Sequence, residues 1–259
     1  MTASLDAVEE ALEGWRSDGP FILGVCGAQG SGKSTLAGGL RARLTAKGLR
    51  AAILSLDDLY LSRAERARLG QIVHPLFATR GVPGTHDAAL GVRLLDAIRA
   101  GADVVLPRFD KAMDDPAPTG TLVNGPLDVL IFEGWCVGAR AQDDAALIAP
   151  VNALEAERDP HATWRRFVNL ALDTDYADLF ARIDRLVLLA APGFEIVRDW
   201  RIQQEHDLRR RVGEVARTMS DDEIGVFIQH YERLTRHILS DMPAYADLTL
   251  WLDEQRRPA

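Results

Sequence analysis

Cysteine is scarce. The 259 residues contain two, Cys26 and Cys136, each in or beside an apolar run. They read as reduced thiols packed near the core rather than as a disulfide framework. Long apolar runs are missing as well, and none approaches the ~20 residues of a membrane span. The N-terminal Met-Thr-Ala-Ser-Leu-Asp-Ala-Val-Glu-Glu is acidic and lacks the basic-then-apolar order of a signal peptide. A cytoplasmic protein with no membrane partner is expected. Positive charge is in deficit: the formal net charge is −8 and the pI about 5.3. That balance argues against a general nucleic-acid binder, though it leaves room for local basic pockets. There is no internal repeat, no low-complexity tract and no guanine-reading Asn-Lys-x-Asp motif.

What is present is ordinary globular composition, 47% hydrophobic and 26% charged, in a chain long enough for one large α/β domain. Leu5, Val8, Leu12 and Trp15 fall at helical spacing and predict an amphipathic opening helix. Strands are predicted at Phe21–Cys26, Ala51–Leu56, Asp103–Leu106, Leu127–Phe132 and Arg185–Ala190, with helices from about Ser34 to Lys47 and near Asp87–Arg99. Such alternation predicts a three-layer α/β/α fold around a mostly parallel sheet. Prolines and glycines from Pro107 to Pro126 break regular structure there, and a loop that long is usually functional or disordered. The last third reads as helical, and the stripe Ile224, Phe227, Ile228, Tyr231, Leu234 and Ile238 reads as core packing.

Between the first strand and the first long helix lies Gly27-Ala-Gln-Gly-Ser-Gly32-Lys33-Ser34. Glycines let this backbone wrap a phosphate chain with its N–H groups aimed inward, and the following helix adds its positive end. The phosphate-binding set is therefore Gly27, Ala28, Gln29, Gly30, Ser31, Gly32, Lys33, Ser34 and Thr35. Lys33 is expected to reach the β- and γ-phosphates of ATP, and Ser34 to offer its hydroxyl to Mg²⁺.

Acids emerge where strands end, the edge at which open α/β sheets bind ligands. Asp57, after the second strand, is expected to accept a proton from an acceptor hydroxyl and to help hold Mg²⁺. Asp57 or Asp58 capping the next turn is the plainer reading. Glu133, straight after Phe132, is assigned to Mg²⁺ and its waters, with a structural role as the alternative. Arg80, His86 and Asp87 are candidates for an acceptor pocket, although Thr85 or Asp87 also suits a helix N-cap. Arg108 offers a forked partner for an anionic substrate, or belongs to a solvated cluster. Arg201, on a charged helix with Arg209 and Arg211, is the candidate lid cation, against a merely solvated face.

Taken in order, Gly27–Thr35, Ser55-Leu-Asp-Asp-Leu-Tyr60, Arg80…Gly84-Thr-His-Asp87, Pro107-Arg-Phe-Asp-Lys111, Phe132-Glu-Gly-Trp135, Trp200-Arg-Ile-Gln-Gln-Glu205 and Met219-Ser-Asp-Asp-Glu223 resemble the D-glycerate 3-kinase family of plant and fungal type. That family stands within the uridine kinase, phosphoribulokinase and pantothenate kinase group of P-loop kinases. The resemblance spans roughly residues 20 to 252. It implies one kinase domain over 1–259, with an acceptor-side loop at 107–126 and a helical lid at 194–240. It implies ATP and Mg²⁺, with Lys33, Asp57 and Arg201 catalytic and Ser34, Asp57 and Glu133 at the metal. On the acceptor side it places Asp57, Tyr60, Arg80, His86, Asp87, Arg108, Asp110, Lys111 and Trp135. The implied acceptor is a small anionic molecule, D-glycerate. The loop after Lys111 lacks the longer Gly/Arg/Asp-rich insertion of plant members. A kinase of another small alcohol, such as a nucleoside, pantothenate or a sugar phosphate, is the nearest alternative, and an ATP-driven switch the more distant one.

Overall fold

The computed structural model describes residues 2–16, 19–212 and 219–259, without the side chains of 208, 209, 211 and 212. In chain order the helices are α1 (Thr2–Trp15), α2 (Lys33–Ala46), α3 (Arg63–Ile72), α4 (Ala88–Arg99), α5 (Ala153–Arg158), α6 (Thr163–Asp173), α7 (Asp175–Phe180), α8 (Glu195–Val212) and α9 (Asp221–Asp241). The strands are β1 (Phe21–Gly27), β2 (Ala51–Ser55), β3 (Val104–Leu106), β4 (Phe109–Asp110), β5 (Asp115–Pro116), β6 (Thr121–Val123), β7 (Val129–Gly134), β8 (Arg185–Ala190) and β9 (Leu248–Trp251).

Five strands form the central sheet in the order β2-β7-β1-β8-β9, every pair parallel. A parallel sheet is covered on both faces, which is why β1 and β7 are apolar without alternation and buried throughout. Side chains still alternate between layers. Leu23, Val25, Ile131, Val187 and Leu189 pack with Val8 and Leu12 of α1, Leu36 and Leu40 of α2, and Trp200 of α8. Ile22, Leu130, Phe132 and Leu188 face the other way, onto α4, α6, α7 and α9. The three-layer α/β/α expectation holds. Among the described residues no helix is long and apolar enough to cross a membrane.

The structure corrects several local expectations. Asp103–Leu106 was expected beside the other strands, but β3 pairs antiparallel with β6 in a separate ribbon. Residues 107–126 are not unstructured, since β4 and β5 also pair antiparallel. Leu56–Leu59 is a 3₁₀ turn, so β2 ends at Ser55 rather than Leu56, and Asp57 and Asp58 lie after the strand within that turn. Strand β9, an edge strand of only four residues, was not anticipated. In the predicted core stripe, Ile224 and Ile228 pack with Phe194, just before α8, and Val197 within it, whereas Phe227 and Tyr231 also line the cleft described next. Residues 213–218 of the expected lid, and the side chains of Arg209 and Arg211, lie outside the described residues.

Candidate active site

The sheet register builds the site. Glu133, the penultimate residue of β7, lies between Ser55 of β2 and Val25 of β1, so the strands deliver it beside the loop that leaves β1. That loop turns into α2 through Gly32, whose φ of 93° is the left-handed region a Cβ disfavours. Lys33 and Ser34 open the helix, and Ser34 Oγ lies 3.0 Å from Glu133 Oε1. Glu133 is 5% exposed, and its Oε2 is buried without a hydrogen-bond partner. A buried carboxylate oxygen left unpaired is costly. A hydrated dication beside Ser34 would satisfy it. Among the described residues no group of three or more His, Cys, Asp or Glu side chains converges to hold a metal. The donor set of one hydroxyl and one carboxylate instead fits Mg²⁺, which keeps several waters and shares phosphate oxygens.

These residues line one wall of a cleft of about 590 Å³. Gln29, Gly30, Lys33, Ser34 and Thr35 come from the P-loop, and Asp57, Tyr60, Arg80, Lys111, Trp135 and Arg201 from the opposite rim and the α8 side. In a chain of net charge −8, the cleft gathers Lys33, Arg80, Lys111 and Arg201 against only Asp57, Glu133 and Asp207. Such local focusing suits a polyanion.

Each acceptor-side residue has a definite place. Asp57 Oδ2 is 2.6 Å from Lys111 Nζ. Burial alone would raise the Asp57 pKa, but Lys111, then Lys33, outweigh it and hold the carboxyl at about 2. Burial, and then the Asp57 carboxylate, push the Tyr60 phenol well above the usual range. Trp135 donates its Nε1–H to the Gly81 carbonyl at 2.8 Å. Arg80 is ion-paired to Asp114 and lies 5.6 Å above the Phe109 ring. Arg201 pairs with Glu205 at 2.6 Å, and Glu205 also accepts the Met219 N–H at 3.0 Å.

Four candidates do not face the cleft. Asp87 caps α4, accepting the Leu90 N–H at 2.8 Å, which is the helix-cap reading. Asp110 accepts the N–H groups of Ala112 and Met113 and so shapes the turn that carries Lys111. Arg108 pairs with Asp58 at 2.7 Å, which removes it from the acceptor wall and gives Asp58 a structural task. His86 is buried beneath Tyr60, stacked at 4.4 Å between ring centroids. Its Nδ1 bonds the Tyr176 hydroxyl, which itself accepts the Gly84 N–H at 3.1 Å. His86 Nε2 is buried without a hydrogen-bond partner.

Burial drives the His86 pKa down to about 3, against the pull of Asp57. The unfolded chain takes up this proton near pH 6.5 while the native state refuses it, so stability rises with pH across that window. Between pH 6.5 and 5, His86→Gln is expected to flatten the fall in stability by up to about 1.4 kcal/mol per pH unit. Urea unfolding at three pH values measures this, and equal slopes in both proteins would refute it.

Sequence reasoning missed Tyr231 and Phe227 of α9, as well as Ser55, Gln204 and Asp207, all of which line the cleft. It also missed Arg66 and Asp114, which clamp the β4–β5 hairpin at 2.8 Å. The isolated polar residue in an otherwise apolar stripe was the signal for Tyr231.

A phosphate loop heading a parallel sheet, with catalytic-type side chains gathered at the strands' carboxyl ends, defines a P-loop kinase. No family model matches the chain. It is 37% identical over 224 residues to the uncharacterized kinase mug58 of Schizosaccharomyces pombe, covering 82% of this chain and 78% of that one. With the chloroplastic D-glycerate 3-kinase of Arabidopsis thaliana it shares 29% identity over 259 residues, covering 92% of this chain and 54% of that one. Among solved structures, the D-glycerate 3-kinase of Cryptococcus neoformans superposes with a TM-score of 0.78 at 27% identity, over 100% of this chain and 96% of that one. The chain belongs to the D-glycerate 3-kinase family of P-loop kinases, and it is an ATP-dependent kinase of a small molecule.

Proposed function

We propose that the protein transfers the γ-phosphoryl group of Mg·ATP to a hydroxyl of a small anionic alcohol, with D-glycerate as the acceptor. The observation that carries this reading is the position of Asp57, in the same cleft as Lys33 and Arg80 and 2.6 Å from Lys111 Nζ. The names of two similar proteins, both D-glycerate 3-kinases, support the choice of acid.

In this reading residues 1–259 act as one kinase domain. The P-loop N–H groups and Lys33 hold the β- and γ-phosphates. Ser34 and Glu133 hold Mg²⁺, which neutralises phosphate charge when bound. Asp57 accepts the proton of the acceptor hydroxyl as its oxygen bonds to the γ-phosphorus and the bond to the bridging oxygen breaks, releasing ADP. Arg201, which lines the same cleft, is in this reading the cation that offsets charge spreading over the transferred group.

The test is an acceptor panel of D-glycerate, L-glycerate, glycerol, uridine and pantothenate with Mg·ATP, reading ADP release and phosphorylated product. D-glycerate is expected to give the highest kcat/KM. A higher value for any other acceptor would replace this assignment.

A further inference from the structure

The cleft cations Arg80, Lys111 and Arg201 are all paired to carboxylates, but the pairings are not equivalent. Arg80 is held by Asp114 and Arg201 by Glu205, acids with no part in the proposed chemistry. Lys111 alone is paired to the proposed base, at 2.6 Å from Asp57 Oδ2. A carboxylate that already accepts an ammonium hydrogen bond is a weaker acceptor for the proton of an attacking hydroxyl. Left as it stands, this contact weakens the base.

The surroundings fix the backbone of Lys111 but not its side chain. The β4–β5 hairpin is stapled at both ends. Asp58 takes the Arg108 guanidinium at 2.7 Å and the Phe109 N–H at 3.0 Å. Asp114 takes Arg66, which is only 1% exposed, at 2.8 Å, and Asp115 accepts the Arg63 N–H at 2.9 Å. Asp110 closes the turn between them. The Lys111 side chain is 61% exposed, on a flexible four-carbon stem. The Asp57 end of the pair is 31% exposed, so an incoming group can reach the contact from the cleft. Exchanging the Asp57 carboxylate for another carboxylate is close to neutral, and an incoming acid can drive it.

We propose that Lys111 reads the anionic group of the acceptor, and that its move from Asp57 to that group is what frees the base. This rests on the proposed function, with Asp57 as base. Acceptor recognition and base activation would then be one event. An uncharged alcohol would fit the cleft yet leave Oδ2 occupied, so selectivity for acids would appear in the chemical step as well as in binding.

The experiment compares D-glycerate with glycerol, its uncharged counterpart, in the wild-type protein, Lys111→Met and Lys111→Arg, with ATP binding followed separately. Lys111→Met is expected to lose roughly 10–100-fold in kcat/KM for D-glycerate, the scale of one charged hydrogen bond, mainly through KM. Its rate with glycerol should rise, because Oδ2 is no longer held. Lys111→Arg should restore most of the preference for the acid. A Lys111→Met protein that keeps the wild-type preference, or that loses both acceptors equally with ATP binding intact, would overturn the proposal while the kinase reading stands. A wild-type protein that phosphorylates no acid would remove the acceptor assignment itself, and this proposal with it.

Discussion

Replacing Asp57 with asparagine is expected to lower phosphoryl transfer by about 10²–10⁴-fold, the usual worth of a positioned general base, while Mg·ATP still binds. Asparagine keeps the shape of the side chain but cannot accept the hydroxyl proton. In the proposed reading the nucleotide contacts come from the P-loop and Lys33, which line the same cleft, so ATP affinity should change by a few-fold at most. Lost stability does not account for such a drop, because the only ion pair removed is the exposed one with Lys111. A carboxyl held at about 2 is a weak base. Phosphoryl transfer through a loose transition state asks little of the base until the new bond is well formed. Stopped-flow ADP release and ATP titration of the variant measure the two halves of the prediction. Near-normal turnover would remove Asp57 as base.

The second large effect concerns Gly81. Its φ of +139° disfavours a side chain, and a Cβ there would meet Tyr231 Oη at 2.0 Å and Cζ at 2.6 Å. The residue is also a junction. Its N–H donates to Thr85 Oγ1, its carbonyl accepts from Trp135, and the Tyr231 hydroxyl donates to the neighbouring Arg80 carbonyl at 3.2 Å. Gly81→Ala should cost about 2–4 kcal/mol from backbone strain and overpacking, lowering Tm by roughly 5–15 °C. It should also raise KM for the acceptor, since Arg80 and Trp135 must shift. In a Tyr231→Ala background the same change should cost markedly less, because only the backbone strain remains. Calorimetry of the four proteins decides this, and a Tm for Gly81→Ala within a degree or two of wild type would refute it.

The two residues differ in how visible they were beforehand. Asp57 comes just after an apolar strand, and strand ends are where this class of sheet binds ligands, so its place in the cleft was legible. The Gly81–Tyr231 contact joins positions 150 residues apart on separate elements, and no local pattern announces it. Tyr231 sits at helical spacing among Ile228, Leu234 and Ile238, and periodicity reports that a face is buried without saying what it is buried against. Arg108 and Asp87 looked like substrate ligands for the converse reason. A charged side chain near a strand end is equally suited to a ligand and to a neighbouring acid or helix terminus. In the folded chain Asp58 and the start of α4 claim them.

By itself the sequence determined what is contiguous. A glycine-rich turn between an apolar strand and a helix is a phosphate cradle because its chemistry is made by the backbone of eight adjacent residues. Strand-to-acid junctions at Asp57 and Glu133 follow from the same local logic. Only the tertiary structure decided which charges are free and which are spent. Ion pairs such as Lys111 with Asp57, Arg80 with Asp114 and Arg108 with Asp58 link residues from 34 to 54 positions apart. Their formation depends on how the β4–β5 hairpin is clamped against the 3₁₀ turn after β2. Coulomb attraction acts through space, and spacing along the chain does not encode it.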